Sequence, residues 1–261
     1  GNRLSQEGLE LFYKCENRYG MFEKIRSGAY LKELDDIIEY MIFNNEDKKK
    51  FLDMLMYCQG FFRKDMVIET AMATCISDEI AREMMLPQSK REILYYGTLV
   101  HDIGMLALPL DLIEAPRKLE PWEARKVKTH VEIAGKILSS RMKKEVVDIA
   151  LAHHERCDGS GYPKKLTDNQ LSTEQKILQV ADMVVALVHK RSYRKPMPKE
   201  KVIAILEEKA SKNKLKRQVV SVVVQSYDRI LSLVTEETAQ VLQMYETLNR
   251  QYETISRKYN I

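Results

Sequence analysis

Residues 99–116 read LVHDIGMLALPLDLIEAP. An apolar run ends in His101 and Asp102, adjacent in sequence, with Gly104 just behind. The pair offers an imidazole nitrogen and a carboxylate oxygen from consecutive positions, a donor set suited to a divalent cation. The chain has only five histidines: 101, 130, 153, 154 and 189. His153 and His154 stand together at a predicted helix end, before the turn CDGSGYP (157–163). Asp182 lies inside KILQVADMVVALV (176–188), where a carboxylate is costly unless it is paired or bound. Nitrogen and oxygen donors without thiolates favour iron, manganese or similar ions over a structural zinc. Two such ions bridged by an aspartate would activate a water and clamp a phosphate.

Around this stretch the periodicity is helical. In ELDDIIEYMI (33–42), Leu34, Ile37, Ile38, Met41 and Ile42 fall on one helix face. NNEDKKKFLDMLMYC (44–58) reads as a capped start and a second helix. A third is expected over 65–86, with Ile68, Met72, Cys75, Ile80 and Met84 among its apolar positions. Turn signals interrupt the helices at 86–90, 107–111, 114–118, 156–166 and 194–199. LSTEQ then restarts one, with Ser172 and Gln175 spaced as a capping box. No alternating strand pattern is evident, so the fold class is all-α.

Composition narrows the function classes. The 261 residues are 44% hydrophobic and 31% charged, enough for a packed core. A net charge of +4, from 42 basic and 38 acidic residues, gives no electrostatic case for duplex nucleic acid. Cys15, Cys58, Cys75 and Cys157 show no CxxC spacing, which points to reduced thiols and a cytoplasmic setting. No apolar run approaches the ~18 residues of a membrane span.

The C-terminal end carries a heptad. Val234, Val241, Leu248 and Ile255 recur every seven residues. Leu231, Tyr245, Tyr252 and Tyr259 form a second register, interrupted by Thr238. The pattern fits a long helix packed on this chain's own N-terminal helices, or a coiled coil that makes a homodimer.

Taken together, HDIG (101–104), HVEIAG (130–135), HHERCDGSGYP (153–163), VAD (180–182) and RSYR (191–194) resemble the HD-GYP family of bacteria, a branch of the HD phosphohydrolases. The resemblance runs from about residue 65 to 230. It implies an HD-type helical bundle with two or three divalent ions, iron or manganese, and hydrolysis of cyclic di-GMP to pGpG or GMP. It assigns metal ligation to His101, Asp102, His130, His153, His154 and Asp182, with Asp102 bridging the ions and central to catalysis. Gly161, Tyr162 and Pro163 match the family's GYP loop beside the site. Arg191 and Arg194 lie where basic residues meet phosphate, or form a solvated basic loop with Lys190 and Lys195.

Two positions depart from the family pattern. Where the family has a histidine ligand on the helix before HDIG, this chain has Glu69, which either completes the metal set or is a plain helix-surface residue. Asp65, one turn earlier, is placed for a third ion or as a helix N-cap. The family motif continues HDIGK, whereas position 105 is methionine, without charge or donor. Losing such a donor to phosphate would cost on the order of 10²–10³ in rate. Arg125 or Lys128, on the helix expected to carry His130, could replace it.

The expected organisation is a helical accessory domain over 1–62, an HD-GYP domain over 63–230 and a C-terminal helix over 231–261. The expected function is a metal-dependent cyclic di-GMP phosphodiesterase with a modified site. The alternative is a degenerate domain that keeps metal or nucleotide and signals through a protein partner without turnover. A phosphohydrolase for another nucleotide is the third reading.

Overall fold

The computed structural model describes residues 63–189 and 196–259, with isolated positions between 13 and 54. The chain divides into two compact units, residues 1–51 and 52–261. The helices expected over 33–42 and 44–58 lie outside the described residues. Among the described residues the second unit is helical, with a single isolated bridge between Asp158 and Thr167 and no strand. Among the described residues no helix is long and apolar enough to cross a membrane.

Helix α1 (Lys64–Glu83) lies at the centre. Met66, Val67, Thr70, Ala71, Met72, Ala73, Ile76, Ser77, Ile80 and Ala81 are buried, so more than one face is covered. Its N-cap is Arg63, in extended conformation, not Asp65, which falls in the first turn. It stops because Met85 adopts a left-handed φ of 55°. The amide of Met85 donates to Arg82 O and that of Leu86 to Ala81 O, both at 2.9 Å. This pair of bonds is the Schellman stop, made without glycine, and Pro87 bars continuation.

The chain then builds α2 (Gln88–Val100), a 3₁₀ turn (Ile103–Ala107) and the short α3 (Leu110–Ile113). Helices α4 (Pro121–Lys128), α5 (His130–Leu138) and α6 (Lys144–Ala150) follow. α7 (Thr173–Val188) opens with the expected capping box: Gln175 N–H donates to Ser172 Oγ at 3.2 Å and Ser172 N–H to Gln175 Oε1 at 2.8 Å. Helices α8 (Lys199–Ser211), α9 (Arg217–Gln225) and α10 (Tyr227–Tyr259) complete the unit.

α1 packs on α2, α7, α9 and α10. Ile76 and Ile80 of α1 meet Ile177 and Leu178 of α7, Leu206 of α8 and Ile230 of α10 in one core, all essentially free of solvent. Truncating any of these to alanine would cost about 2–5 kcal/mol. A second core joins Val67 and Ala71 to Leu99, Ala134, Val146 and Ala150. It lies behind the turns that carry the histidines.

α10 begins four residues before the expected boundary at 231. Leu231, Val234, Val241 and Tyr245 of the heptad pack on these two cores. The inner half of the pattern is therefore an intrachain seam against α1. Farther out, Met244 and Tyr252 are half exposed.

Candidate metal centre

The histidines share one local rule. His101 follows α2, His130 follows α4, and His153 lies three residues beyond α6. The last carbonyls of a helix lack intrahelical partners, and in each case an imidazole takes one. Nδ1 of His101 lies 2.6 Å from Thr98 O, that of His130 2.7 Å from Val127 O, and that of His153 2.7 Å from Ala150 O. A carbonyl only accepts, so each Nδ1 is the protonated nitrogen. In the neutral rings each Nε2 is then left with a lone pair. Fixing the tautomer through a backbone carbonyl is the usual device for a metal-ligating histidine.

The three Nε2 atoms converge on Asp102. His130 Nε2 and His153 Nε2 lie 3.3 and 3.5 Å from Asp102 Oδ1, and His101 Nε2 lies 3.6 Å from Oδ2. His130 Nε2 and His153 Nε2 are 3.2 Å apart. Facing lone pairs beside a carboxylate repel unless a cation or proton lies between them. Donor atoms sharing an ion at ~2.0–2.2 Å stand about 3.0–3.5 Å from one another, which is the spacing observed here. The residues therefore fit a divalent ion. Donors of His130, His153 and His154 all fall within 4.8 Å of one another. His154 Nδ1 also lies 3.7 Å from Asp182 Oδ2. Asp102 presents Oδ1 to one set of imidazoles and Oδ2 to His101, as a bridging carboxylate would.

The field inside the cluster is strong. Burial alone would raise the Asp102 carboxyl, but His101, His153 and His130 hold it well below the usual range. Burial pulls the His130 imidazole down despite Asp102. Burial and the neighbouring His153 hold His154 far lower. His153 is raised: burial opposes its charge, but the hydrogen bond and charge of Asp102 prevail.

Gly104 sets the distance between the HD turn and His130. A Cβ on it would meet His130 O at 2.0 Å and Ala134 N at 2.9 Å. Only glycine lets this turn lie directly on the first turn of α5. The GYP loop is fixed by a residue that the spacing of histidines did not single out. Glu155 is fully buried, and its carboxylate accepts from Lys164 N–H at 2.6 Å and Leu166 N–H at 2.9 Å. Gly161 then lies so close to the Glu155 and Arg156 backbone that a Cβ would fall at 2.4 Å. Tyr162, which precedes Pro163 through a cis bond, stacks on His154 with ring centroids 4.7 Å apart. Its hydroxyl is held protonated by burial and by Asp182 and Asp102.

A cleft of about 940 Å³ opens onto the cluster, at the upper end of the range for small-molecule sites. Asp102, His130, His154, Tyr162 and Asp182 line one part of it, and Met105 stands in its wall. Glu69 also lines it, so it is no plain surface residue. Its Oε2 accepts from Arg63 Nη2 at 3.0 Å and its Oε1 lies 3.4 Å from His189 Nδ1. Arg63 and His189 line the cleft too. Neither was marked by a motif, although His189 is one of only five histidines. Lys128 stands over the Tyr162 ring at 4.9 Å. Arg191 and Arg194 lie outside the described residues.

Comparison with known proteins accords with this geometry. Over 133 residues the chain is 36% identical to 3′3′-cGAMP-specific phosphodiesterase 3 of Vibrio cholerae, covering 51% of this chain and 29% of that protein. It is 34% identical over 140 residues to a cyclic di-GMP phosphodiesterase of Thermotoga maritima, covering 52% of this chain and 38% of that one. The chain thus spans well under half the length of these relatives. Among solved structures, Bd1817, a HDG"Y"P protein from Bdellovibrio bacteriovorus, matches with a TM-score of 0.53 at 19% identity, over 61% of this chain and 51% of its own. That likeness concerns the fold. The family description "HD domain" matches residues 58–219, well over half of the sequence. The chain belongs to the HD-domain family.

Proposed function

We propose that this chain is a metal-dependent cyclic dinucleotide phosphodiesterase that cleaves cyclic di-GMP to pGpG or GMP. The observation that carries the reading is the convergence of three carbonyl-anchored Nε2 atoms on Asp102 at the floor of a nucleotide-sized cleft. The names of the relatives, cyclic di-GMP and 3′3′-cGAMP phosphodiesterases, support the substrate class.

His101, Asp102, His130, His153, His154 and Asp182 would hold two ions, iron or manganese, with Asp65, in the lining of the cleft, placed for a third. Bound there, the ions supply Lewis acidity and a water nucleophile at neutral pH. Asp102 stays ionised and holds the two donor sets in register. Tyr162 keeps its proton and walls the site beside His154. The cleft orients the phosphodiester for in-line attack. The thiols of Cys75 and Cys157 are free and raised by burial, which fits an inert role in a reducing cytoplasm. The outer half of α10, where Met244 is half exposed, is where a second copy or a signalling partner would pair.

A second reading has its own observation. Met105 leaves the wall without the lysine of the family motif, and Glu69 is engaged by Arg63 and His189. This would suit a domain that binds nucleotide without turnover. The test is chromatography of products after anaerobic loading with Fe²⁺ or Mn²⁺, with cyclic di-GMP and 3′3′-cGAMP offered separately. Linear product from cyclic di-GMP supports the proposal. Product from 3′3′-cGAMP alone moves the substrate assignment. Binding without product from either favours the signalling module.

A further inference from the structure

A phosphodiester entering this cleft brings negative charge past Asp65, Glu69, Asp102, Glu114 and Asp182. Cations in the wall must offset that. Position 105 offers a thioether instead. Arg117 is held by both oxygens of Glu123, at 2.7 and 2.8 Å. Lys118 and Lys128 are exposed at the rim, and Lys128 rests on the Tyr162 ring.

Arg63 differs from all of them. Its side chain is only 13% exposed, yet it lines the cleft. One terminal nitrogen, Nη2, is fixed on Glu69 Oε2 at 3.0 Å. No other partner of the Arg63 side chain is found among the described residues, so the remaining donors of its planar fork can meet a second acceptor. His189, just past the end of α7, lies 3.4 Å from the other oxygen of Glu69. A guanidinium fixed at one nitrogen by a carboxylate keeps its other donors in a set plane, ready for a second acceptor at less entropic cost than a mobile lysine.

We propose that Arg63 forms a phosphate-binding subsite, donating to a phosphodiester oxygen of the cyclic dinucleotide and doing the work that Met105 cannot. Glu69 and His189 are its positioning residues. The inference rests on the phosphodiesterase reading above. It makes the two departures from the family pattern parts of one change: the cation moves from the HD turn to the start of α1, and the acid at position 69 holds it there.

The test uses the full chain loaded with Mn²⁺, with cyclic di-GMP as substrate and metal content measured on every sample. Arg63→Gln should raise KM by roughly ten- to hundredfold, with metal content unchanged. Arg63→Lys, which keeps a charge, should recover much of the loss. Adding Met105→Lys to Arg63→Gln should restore KM, whereas Met105→Lys alone should change it less than about threefold, because the coupling lies between the two cations. If Arg63→Gln matches the parent, Arg63 merely neutralises Glu69 and the inference falls. If activity and metal are lost together, Arg63 acts through the ligands, and it falls as well. An inactive parent that nonetheless holds metal would overturn the phosphodiesterase reading itself, a different failure from either of these.

Discussion

Two faces of one cleft differ in how they are held. The histidine face is built from helix ends: three imidazoles satisfy three carbonyls, and what remains of each ring points at Asp102. Another part of the lining, with Arg63, Glu69 and His189, is built from side chains set against one another. Backbone anchoring leaves few alternatives, and the histidine face follows the family motifs residue by residue. Side-chain anchoring tolerates exchange: Glu69 is one of the two departures, and the other, Met105, is a side chain at the end of the HD turn that anchors no carbonyl. The difference teaches that the metal set and the phosphate contacts need not change together.

The largest expected effect comes from breaking the first face. His153→Gln removes a donor that meets Asp102, His130 and the His154 ring, and metal affinity and turnover should fall together. The loss in turnover should reach about 10³-fold or more, since a bound ion is worth several kcal/mol to the reaction. Turnover retained within tenfold would show that the cluster is structural. Next comes Gly104→Ala, which forces a Cβ into the His130 carbonyl. It should cost about 1–3 kcal/mol or more, read by thermal unfolding, and should weaken metal binding because His130 moves with its helix. An unchanged melting temperature would mean that the turn is looser than its contacts imply.

Glu155→Gln sharpens the comparison from the GYP loop. The amide can serve one of the two backbone donors but turns an N–H toward the other. A loss of about 1–3 kcal/mol follows, with KM raised through Tyr162 and metal content kept. Loss of metal instead would tie the loop to the histidine face. The smallest effect belongs to a site outside both faces. Asp168 receives Lys216 at 2.7 Å and Lys176 at 2.9 Å, and those lysines, by hydrogen bond, hold its carboxyl down to about 2. A depressed folded-state pKa stabilises the protein above the ordinary aspartate range, and that stability disappears as pH falls from ~4 toward ~2. Asp168→Asn should therefore lower the melting temperature modestly at neutral pH, with the gap from the parent closing across that window. A pH-independent gap would point to packing.

The sequence made the histidine face legible because its rule is local. Four of the five histidines fall near predicted helix ends and turns, and the adjacent His153 and His154 could not be read as scattered surface residues. The all-α fold followed from periodicity, and the capping box at Ser172 fell where its spacing requires. The wall was harder to read. Arg63 precedes a helix with no motif around it, and Glu69, which holds it, faces His189 more than a hundred residues farther along the chain. Glu155 stood beside the paired histidines, but its role depends on a loop that folds back to it. The heptad was visible, yet only packing against α1 tells that Val234, Val241 and Tyr245 are spent within the chain.

The most direct test of the central claim is titration of the metal-free protein with Mn²⁺, following the spectrum of the free ion, beside Asp102→Ala at the same concentration. The account predicts that the parent removes at least one ion per chain from solution and that Asp102→Ala does not. Equal uptake by both would contradict it.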